Sequence, residues 1–480
     1  MLFNSIQFVL FFQIVLAAYF TLPHRFRWAW LLLASCYFYM VFVPAYVLIL
    51  FALILIDYTT GLVLEKTVGS RKKMVLLISL CTNIGFLGFF KYFNFVNENL
   101  AALCRLIHWN YGIESLAIAL PIGLSFHTFQ SMSYTIEVYR GKQKAEHHLG
   151  IYSIYVMFFP QLVAGPIERP QNLLHQLHAR HDFDEGRFFE GLQMMLWGYF
   201  KKWVIADRLA LIVNHVYAAP AAHSSVDLIL ATYCFAYQIY CDFAGYSEIA
   251  RGAARIMGID LMQNFDRPYS AQSISEFWKR WHMSLSMWFR DYLYIPLGGN
   301  RATRPRWYFN LFVTFLVSGL WHGAAWSYMF WGALHGFYLI LSIVTAPLRA
   351  AAARSTGIDR RPTLKKWVNV AITFNLAAFA WIAFRARSLP ETLLIMRKVL
   401  SPLTTFRSPL DLGVGPRELA VGICAIVFME FVEANSYQPQ AVSSVAPGAR
   451  RRRWVLSAAA VALIVLFGKM NPQRFIYFQF

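Results

Sequence analysis

Charge is scarce in this chain. Asp, Glu, Lys and Arg together supply 14% of the residues, where ordinary soluble domains carry about 25%, and that excludes an average water-soluble enzyme. Acidic groups are the rarer sign, 25 against 44 basic ones, leaving a formal charge of +19. Such an excess suits nucleic acid in principle. A mean hydropathy of +0.44 over the whole length points instead to a lipid bilayer as solvent and no nucleic-acid partner, with the basic residues spread among loops. The six cysteines (Cys36, Cys81, Cys104, Cys234, Cys241, Cys424) stand far apart without a C-x-x-C, nearly all in apolar runs. This excludes a disulfide framework and predicts free, buried thiols. No long polar linker, low-complexity tract or internal repeat interrupts the chain, so residues 1–480 read as one integral-membrane domain. A Gly-rich P-loop, a G-x-S-x-G elbow and a dinucleotide fingerprint are all missing. His175, His178 and His181 recur every three residues, whereas a zinc-protease helix spaces its histidines by four beside a Glu, and no metal is expected. His127 and the pair His147 and His148 read as packing or loop residues.

What is abundant is apolar length. A bilayer-crossing helix needs about 20 mostly apolar residues, and runs of roughly that size bounded by charge, Pro or Gly occur near 2–22, 28–43, 45–64, 74–93, 116–138, 227–250, 307–326, 328–346, 367–384, 418–432 and 454–468, about eleven in all. The stretches 150–165 and 188–215 are broken by Pro160, Gly165-Pro166 and Lys201-Lys202, and read as re-entrant or interfacial. Arg25 and Arg27 follow the first span, the wrong order for a cleaved signal peptide, so that span reads as a signal-anchor. Alternate early loops carry Arg25 and Arg27, then Lys66, Arg71, Lys72 and Lys73, then Arg140, Lys142 and Lys144. By the positive-inside rule these loops are cytoplasmic and the N-terminus is outside. The basic segments at 279–306, 349–366 and 450–453 share the cytoplasmic side, and parity requires one apolar piece between 150 and 258 not to cross.

Polar side chains inside apolar spans cost energy, face protein or a water-filled cavity, and are functional candidates by default. Three clusters qualify. In FAYQIYCDFAGYSEIARGAARIMGI, Gln238, Asp242 and Tyr246 recur every four residues and share one helix face, while Glu248 and Arg251 are spaced to pair. Two readings stay open, a network that locks the bundle and the polar wall of a substrate cavity. In SEFWKRWHMSLSMWFRDYLYIPLGGN, Phe277, Trp281, Leu285 and Phe289 form an apolar stripe, and His282, Ser286 and Arg290 run along another face. Tryptophan with basic residues favours a helix lying in the cytoplasmic interface. A mere anchor would not need a histidine in register with a serine and an arginine. Lys279, Arg280, Arg301, Arg304 and Arg306 are placed to meet donor phosphates, though positive-inside bias explains most of them.

The third cluster, SGLWHGAAWSYMFWGALHG, is the sharpest. His322 and His335 each precede a glycine, and a turn near Ala325 to Ser327 sets the imidazoles within about 6 Å of one depth at 1.5 Å rise per residue. One intramembrane histidine reads as a satisfied packing residue. Two in one hairpin, with glycines that permit close approach, point further. A neutral imidazole is the natural base near pH 7; in an apolar cavity it can take the proton of a hydroxyl that attacks an ester or thioester, which is acyl transfer.

These stretches, with MLFNSIQFVLFF, FFKYFNF, LPIGLSFHTFQSMSYTIEVYRG, FFPQLVAGPIERP, QIYCDFAGYSEIARG and the closing FIYFQF, resemble the membrane-bound O-acyltransferase (MBOAT) family over nearly the full length, in its bacterial alginate O-acetylation branch. The resemblance implies an all-α polytopic ring of about eleven transmembrane helices with re-entrant and interfacial pieces, and a cytoplasmic tunnel meeting an outward funnel at the histidines. Only a bilayer thinned at its centre, as the family implies, reconciles the shallow position of His322 with such a site. His322 matches the family's essential histidine. His282, about forty residues earlier, matches the second catalytic position, to position or polarise the thioester. His335, Asp242, Arg290, Ser286, Trp321 and Gln238 are the supporting residues. The implied donor is a cytoplasmic thioester, acyl-CoA (acetyl-CoA) or an acyl carrier protein, with no bound cofactor. The implied partners are an extracytoplasmic acyltransferase protein and a polysaccharide acceptor such as alginate, at the bacterial inner membrane. The C-terminal motif 475–480 is similar to an aromatic motif implicated as an acyl relay, which makes Tyr477 a third catalytic candidate. A phenol with pKa about 10 becomes a competent nucleophile only beside a base; an aromatic belt is the alternative. His127 stands where relatives commonly show an aromatic residue. D-alanyl or other acyl transfer to a teichoic-acid-like polymer, and a transporter or flippase without chemistry, remain the alternatives, although the paired repeats of transporters are not seen.

Overall fold

Away from water a backbone must satisfy its own hydrogen bonds, and a helix does so within one segment. The computed structural model describes residues 1–117, 120–401, 410–435, 447–469 and 475–476, and among them no strand occurs. In order the helices are α1 (Ile6–Thr21), α2 (His24–Met40), α3 (Tyr46–Lys66), α4 (Gly69–Leu87), α5 (Phe93–Leu106), α6 (Leu124–Tyr139), α7 (Leu149–Met157), α8 (Pro170–His178), α9 (Glu185–Tyr199) and α10 (Asp207–Ala218). There follow α11 (Ser225–Ile256), α12 (Ile274–Arg280), α13 (Met283–Phe289), α14 (Arg304–His322), α15 (Trp326–Val344), α16 (Ala346–Ser355), α17 (Pro362–Arg385), α18 (Leu389–Leu400), α19 (Pro416–Asn435) and α20 (Pro447–Phe467). The expectation of an all-α polytopic membrane protein holds.

Among the described residues, α3, the continuous run Gly69–Leu106 through a π-turn, α15 and α17 are each long and apolar enough to cross a membrane, and Ile6–Thr21 and Trp454–Phe467 are shorter apolar helices. Some other apolar runs, those of α2, α14 and α19, keep exposed faces that include Leu33, Phe309 and Val427, while others are buried in protein. The run at 116–138, for example, becomes helical only at Leu124, and Ser125, Thr128, Gln130, Ser131, Ser133 and Thr135 of α6 are all buried. Residues 151–164, expected as re-entrant or interfacial, are likewise buried: α7 ends at Met157 and turns follow. The cysteines are free, but only Cys241 is buried; Cys81 and Cys424 are exposed and the other three intermediate. An apolar run does not imply an inward-facing side chain, since a helix surface clad in Leu and Ile suits lipid equally well.

Two compact units emerge from the packing, Met1–Met195 with Ser247–Met262, and Leu196–Tyr246 with Gln263–Phe480. In the first, α3, α4 and α6 close on a buried carboxylate: Asp57 accepts hydrogen bonds from Ser79 (2.7 Å) and Asn83 (2.9 Å), because an isolated charge would not be tolerated there. The same unit holds an aromatic group from Phe8, Phe11, Phe38 and Phe159 and the tilted pair Tyr134 and Tyr152, 4.6 Å between centroids.

The second unit holds the histidine hairpin. α14 and α15 approach so closely that a Cβ on Gly332 would stand 2.3 Å from the carbonyl oxygen of Phe315, and one on Gly319 2.3 Å from that of Tyr328. Small residues at a helix crossing allow this contact. Beside the hairpin, the chain makes a π-helical turn at Phe200–Ala206 that turns both Lys201 and Lys202 inward. Lys201 pairs with Glu433 at 2.6 Å, and Lys202 with Asp242 at 2.5 Å and Asp207 at 3.0 Å, every side chain at most 5% exposed.

Two consequences are measurable. Gly332→Leu drives a side chain into the α14 backbone, and an overpacking cost of about 1–3 kcal/mol lowers the melting temperature in detergent, whereas Gly85→Ala, where nothing lies within 4 Å of the new Cβ, leaves it unchanged or higher. Lys202→Met strips two buried carboxylates of their counter-charge and costs about 3–5 kcal/mol, so the expected result is collapse of folded yield. Lys365→Met, at a largely exposed pair with Asp359, costs at most about 1 kcal/mol.

Candidate active site

His282 stands where the expected amphipathic helix breaks. The segment does not lie along a surface as one helix: α12 stops at Arg280, α13 starts at Met283, and His282 between them adopts a left-handed backbone with φ of 42°. A non-glycine residue there costs about 1–2 kcal/mol, and such positions are often functional. The stripe of Phe277, Trp281, Leu285 and Phe289 is buried, not interfacial. Asn264 holds the break. Its backbone carbonyl accepts from Met283 N–H at 2.9 Å, and its side-chain Oδ1 accepts from the Ser284 hydroxyl at 2.7 Å and the Ser284 N–H at 3.3 Å. His282 Nδ1 lies 3.2 Å from the same oxygen. Because that oxygen only accepts, Nδ1 carries the proton, and Nε2 of the neutral ring is left with its lone pair.

Tryptophans space the other imidazoles. His322 closes α14, 4% exposed, with Trp321, Trp331 and Phe384 edge-on at 4.9, 5.0 and 5.3 Å between ring centroids. Trp321 also lies 6.2 Å from His282, so one indole stands between the two candidate catalytic rings. His335 is fully buried; its Nδ1 accepts from the Trp278 indole N–H at 3.3 Å, and Trp331 is 5.0 Å away. Since Gly319 faces Gly332, His335 sits about six residues beyond the level of His322, roughly 9 Å deeper at 1.5 Å per residue. It therefore lies deeper than the turn arithmetic places it, one tryptophan removed from His322.

The remaining expected residues divide. Ser286 donates to the Trp281 carbonyl at 3.1 Å and secures the break at His282. Gln238 is partly buried, one turn before Asp242 on α11. Arg290 turns outward, its guanidinium more than half exposed and paired with Asp291 at 2.7 Å. Asp242 is committed to Lys202 and to the backbone N–H of Ile476, which it accepts at 2.6 Å. Its neighbour Phe243 meets His282 edge-on at 4.7 Å, so one stretch of α11 touches both the histidine and the C-terminal segment. Phe475 lies under the Lys202 ammonium at 4.4 Å and against Tyr246 at 5.0 Å. Tyr477 itself falls outside the described residues. His127 belongs to the first unit and packs near Tyr39 at 6.1 Å. His175, His178 and His181 bond separately to Gln171, Glu146 and Gln176.

Asn264, Lys202, Asp207 and Glu433 are absent from the sequence-based site. Two adjacent lysines inside an otherwise apolar stretch are a signal in their own right, because charge at that depth needs a partner. Asn264 lies in a loop and carries no such mark.

Comparison with known proteins bears on these residues. The model of the membrane-bound O-acyltransferase family matches residues 142–368, a range that includes His282, His322 and His335. The probable alginate O-acetylase AlgI of Pseudomonas aeruginosa is 38% identical over 397 residues, covering 81% of this chain and 73% of the relative. A peptidoglycan O-acetyltransferase of Helicobacter pylori is 33% identical over 77% of this chain and 72% of its own. A teichoic acid D-alanyltransferase of Streptococcus thermophilus is 29% identical over 55% of this chain and 68% of its own. An all-helical membrane scaffold, three imidazoles set among tryptophans and kinship over most of its length place this chain in the membrane-bound O-acyltransferase family, as an acyltransferase.

Proposed function

We propose that this acyltransferase moves an acetyl group from a cytoplasmic thioester, acetyl-CoA or an acyl carrier protein, to hydroxyls of an extracytoplasmic polysaccharide of the alginate type. On this reading it sits in the bacterial inner membrane with its N-terminus outside and works with an extracytoplasmic partner protein. The carrying observation is the buried row His282, Trp321, His322, Trp331, with α11 joining His282 to the docked C-terminal segment. Higher identity over more of the chain to O-acetyl relatives than to the D-alanyl relative favours acetyl transfer over D-alanylation.

His322 acts as general base. It takes the proton from an attacking hydroxyl as that oxygen bonds to the thioester carbonyl carbon; the tetrahedral intermediate collapses, the C–S bond breaks, and the departing thiolate takes the proton back from the imidazolium. His282 offers a lone pair, because Asn264 occupies its N–H. It accordingly does not donate to the carbonyl and helps to position the thioester, leaving the single proton of the hydroxyl to His322. The Trp and Phe rings around His322 exclude water, which favours acyl transfer over hydrolysis. In the relay form of the mechanism Tyr477, next in sequence to the anchored Ile476, is the first acceptor, and the partner protein passes its acyl group to polymer.

Removing a general base typically costs 10²- to 10⁴-fold. His322→Ala should therefore reduce release of free CoA from acetyl-CoA, in the presence of the partner protein, by at least about 10² while the melting temperature holds; undiminished turnover would remove His322 as the base. Tyr477→Phe should abolish labelled acyl-protein and acylation of polymer together. Normal polymer acylation in that variant would exclude the relay and leave direct transfer.

A further inference from the structure

We infer that the second unit carries a binding site for a divalent transition-metal ion of the zinc class, built from His215, His223 and Asp411 and separate from the acyl-transfer residues. A ligand atom from each of these side chains lies within 4.8 Å of the others. His215 comes from the last turn of α10, His223 from the turn that leads into α11, and Asp411 from the segment before α19. Three segments distant in sequence thus converge on one point. Two imidazoles and a carboxylate are the donor set that such ions select, and zinc commonly takes three protein ligands and leaves its fourth tetrahedral position to water.

The surroundings hold these groups in place. His215 Nε2 is 3.0 Å from Asp411 Oδ1, and the two imidazoles are edge-on at 5.2 Å between centroids. Gly413, at φ of 66°, lies so flat against His215 that a Cβ would come within 2.4 Å of the ring; its N–H points at Asp411 Oδ1 at 3.3 Å. The loop bearing His223 is tied down by Lys398, whose ammonium donates to the carbonyls of Pro220, Ala221 and His223 at 3.1, 2.7 and 2.7 Å. Asp227 stands behind both remaining ligands. Its Oδ1 accepts the backbone N–H of Asp411 at 3.1 Å, and its Oδ2 lies 4.0 Å from His223 Nδ1 while accepting from Ser224. A carboxylate behind a ligating imidazole fixes ring orientation and raises basicity.

The size is right after a small contraction. Ligand atoms in a tetrahedral zinc site are about 3.3 Å apart, given bonds of about 2.0–2.1 Å. The His215 to Asp411 separation of 3.0 Å is already in that range, and the other separations, none above 4.8 Å, must close by at most about 1.5 Å. His223 is buried, whereas the side chains of His215 and Asp411 are 42% and 63% exposed, so an ion has an entry path. A His215–Asp411 ion pair alone would explain one contact. It gives no reason for a second imidazole at the same point, backed by its own carboxylate.

The test uses the full chain in detergent, purified through a tag without histidines, stripped with chelator and titrated with Zn²⁺ against a chromophoric competitor. One zinc per chain is expected, with micromolar or tighter affinity and a rise in melting temperature. His223→Gln and Asp411→Asn should each weaken binding at least tenfold, and His178→Ala should leave it intact. Asp411 is exposed in a loop, so its variant reports binding even if the His223 variant fails to fold. No zinc retained by folded wild-type protein, or stoichiometry and affinity unchanged in Asp411→Asn, would overturn the site. Both readouts are independent of acyl transfer.

Discussion

A lysine ammonium with almost no access to water persists only if carboxylates are held against it, and Lys202 is held by two, Asp242 and Asp207. This requirement organises the second unit. The π-helical turn that aims Lys202 inward, the α11 face that offers Asp242, and the capture of the Ile476 N–H by the other oxygen of the same carboxylate are consequences of one electrostatic demand. Desolvation opposes each member taken singly; taken together, they leave the carboxylate with an ammonium on one oxygen and an amide on the other. Phe475 and Ile476 therefore dock on a charge network and not merely on an apolar surface.

The surroundings of His322 are of the opposite kind. Its ring neighbours among the described residues are Trp321, Trp331 and Phe384, all aromatic. Low polarity strengthens any electrostatic interaction made among those rings. The two environments are kept apart by helix geometry: adjacent residues of α11 point about 100° apart, so Asp242 serves the charge network while Phe243 serves the histidine. Asp242, with Lys202 on one oxygen and the Ile476 N–H on the other, takes part in a bundle-locking network, one of the two readings its spacing leaves open.

Much of this was legible in the sequence. Apolar runs of bilayer length point to the membrane and to helices, and the hairpin that the spacing of His322 and His335 predicts is formed by α14 and α15. Cysteines without C-x-x-C point to free thiols, although apolar context alone does not distinguish an exposed thiol such as Cys81 from an enclosed one such as Cys241. Other features had no local mark. The four-residue periodicity through Phe277, Trp281, Leu285 and Phe289 describes a continuous helix, yet His282 interrupts it with a positive φ that is rare for any residue except glycine. That interruption is bonded to Asn264, 18 residues earlier, a tertiary contact that overrides periodicity. Partnerships such as Asp242 with Ile476 and Trp197 with Glu433 span more than 230 residues, beyond any pattern of neighbouring residues.

The break at His282 also shows why its register matters more than its residue type. In a continuous helix, residues 278, 282 and 286 would share a face, and His282 would follow Trp278 toward His335. Instead the left-handed residue re-aims the chain, Trp278 goes to His335, and His282 goes to Phe243 and Asn264. The two histidines are thereby divided between different tasks. His335 accepts the indole N–H of Trp278 through Nδ1 and packs against Trp331, which flanks His322, while His282 is oriented by Asn264. A strained residue of about 1–2 kcal/mol is a small cost for that division, because Asn264 meets it with hydrogen bonds to Met283, His282 and Ser284, each worth about 0.5–1.5 kcal/mol.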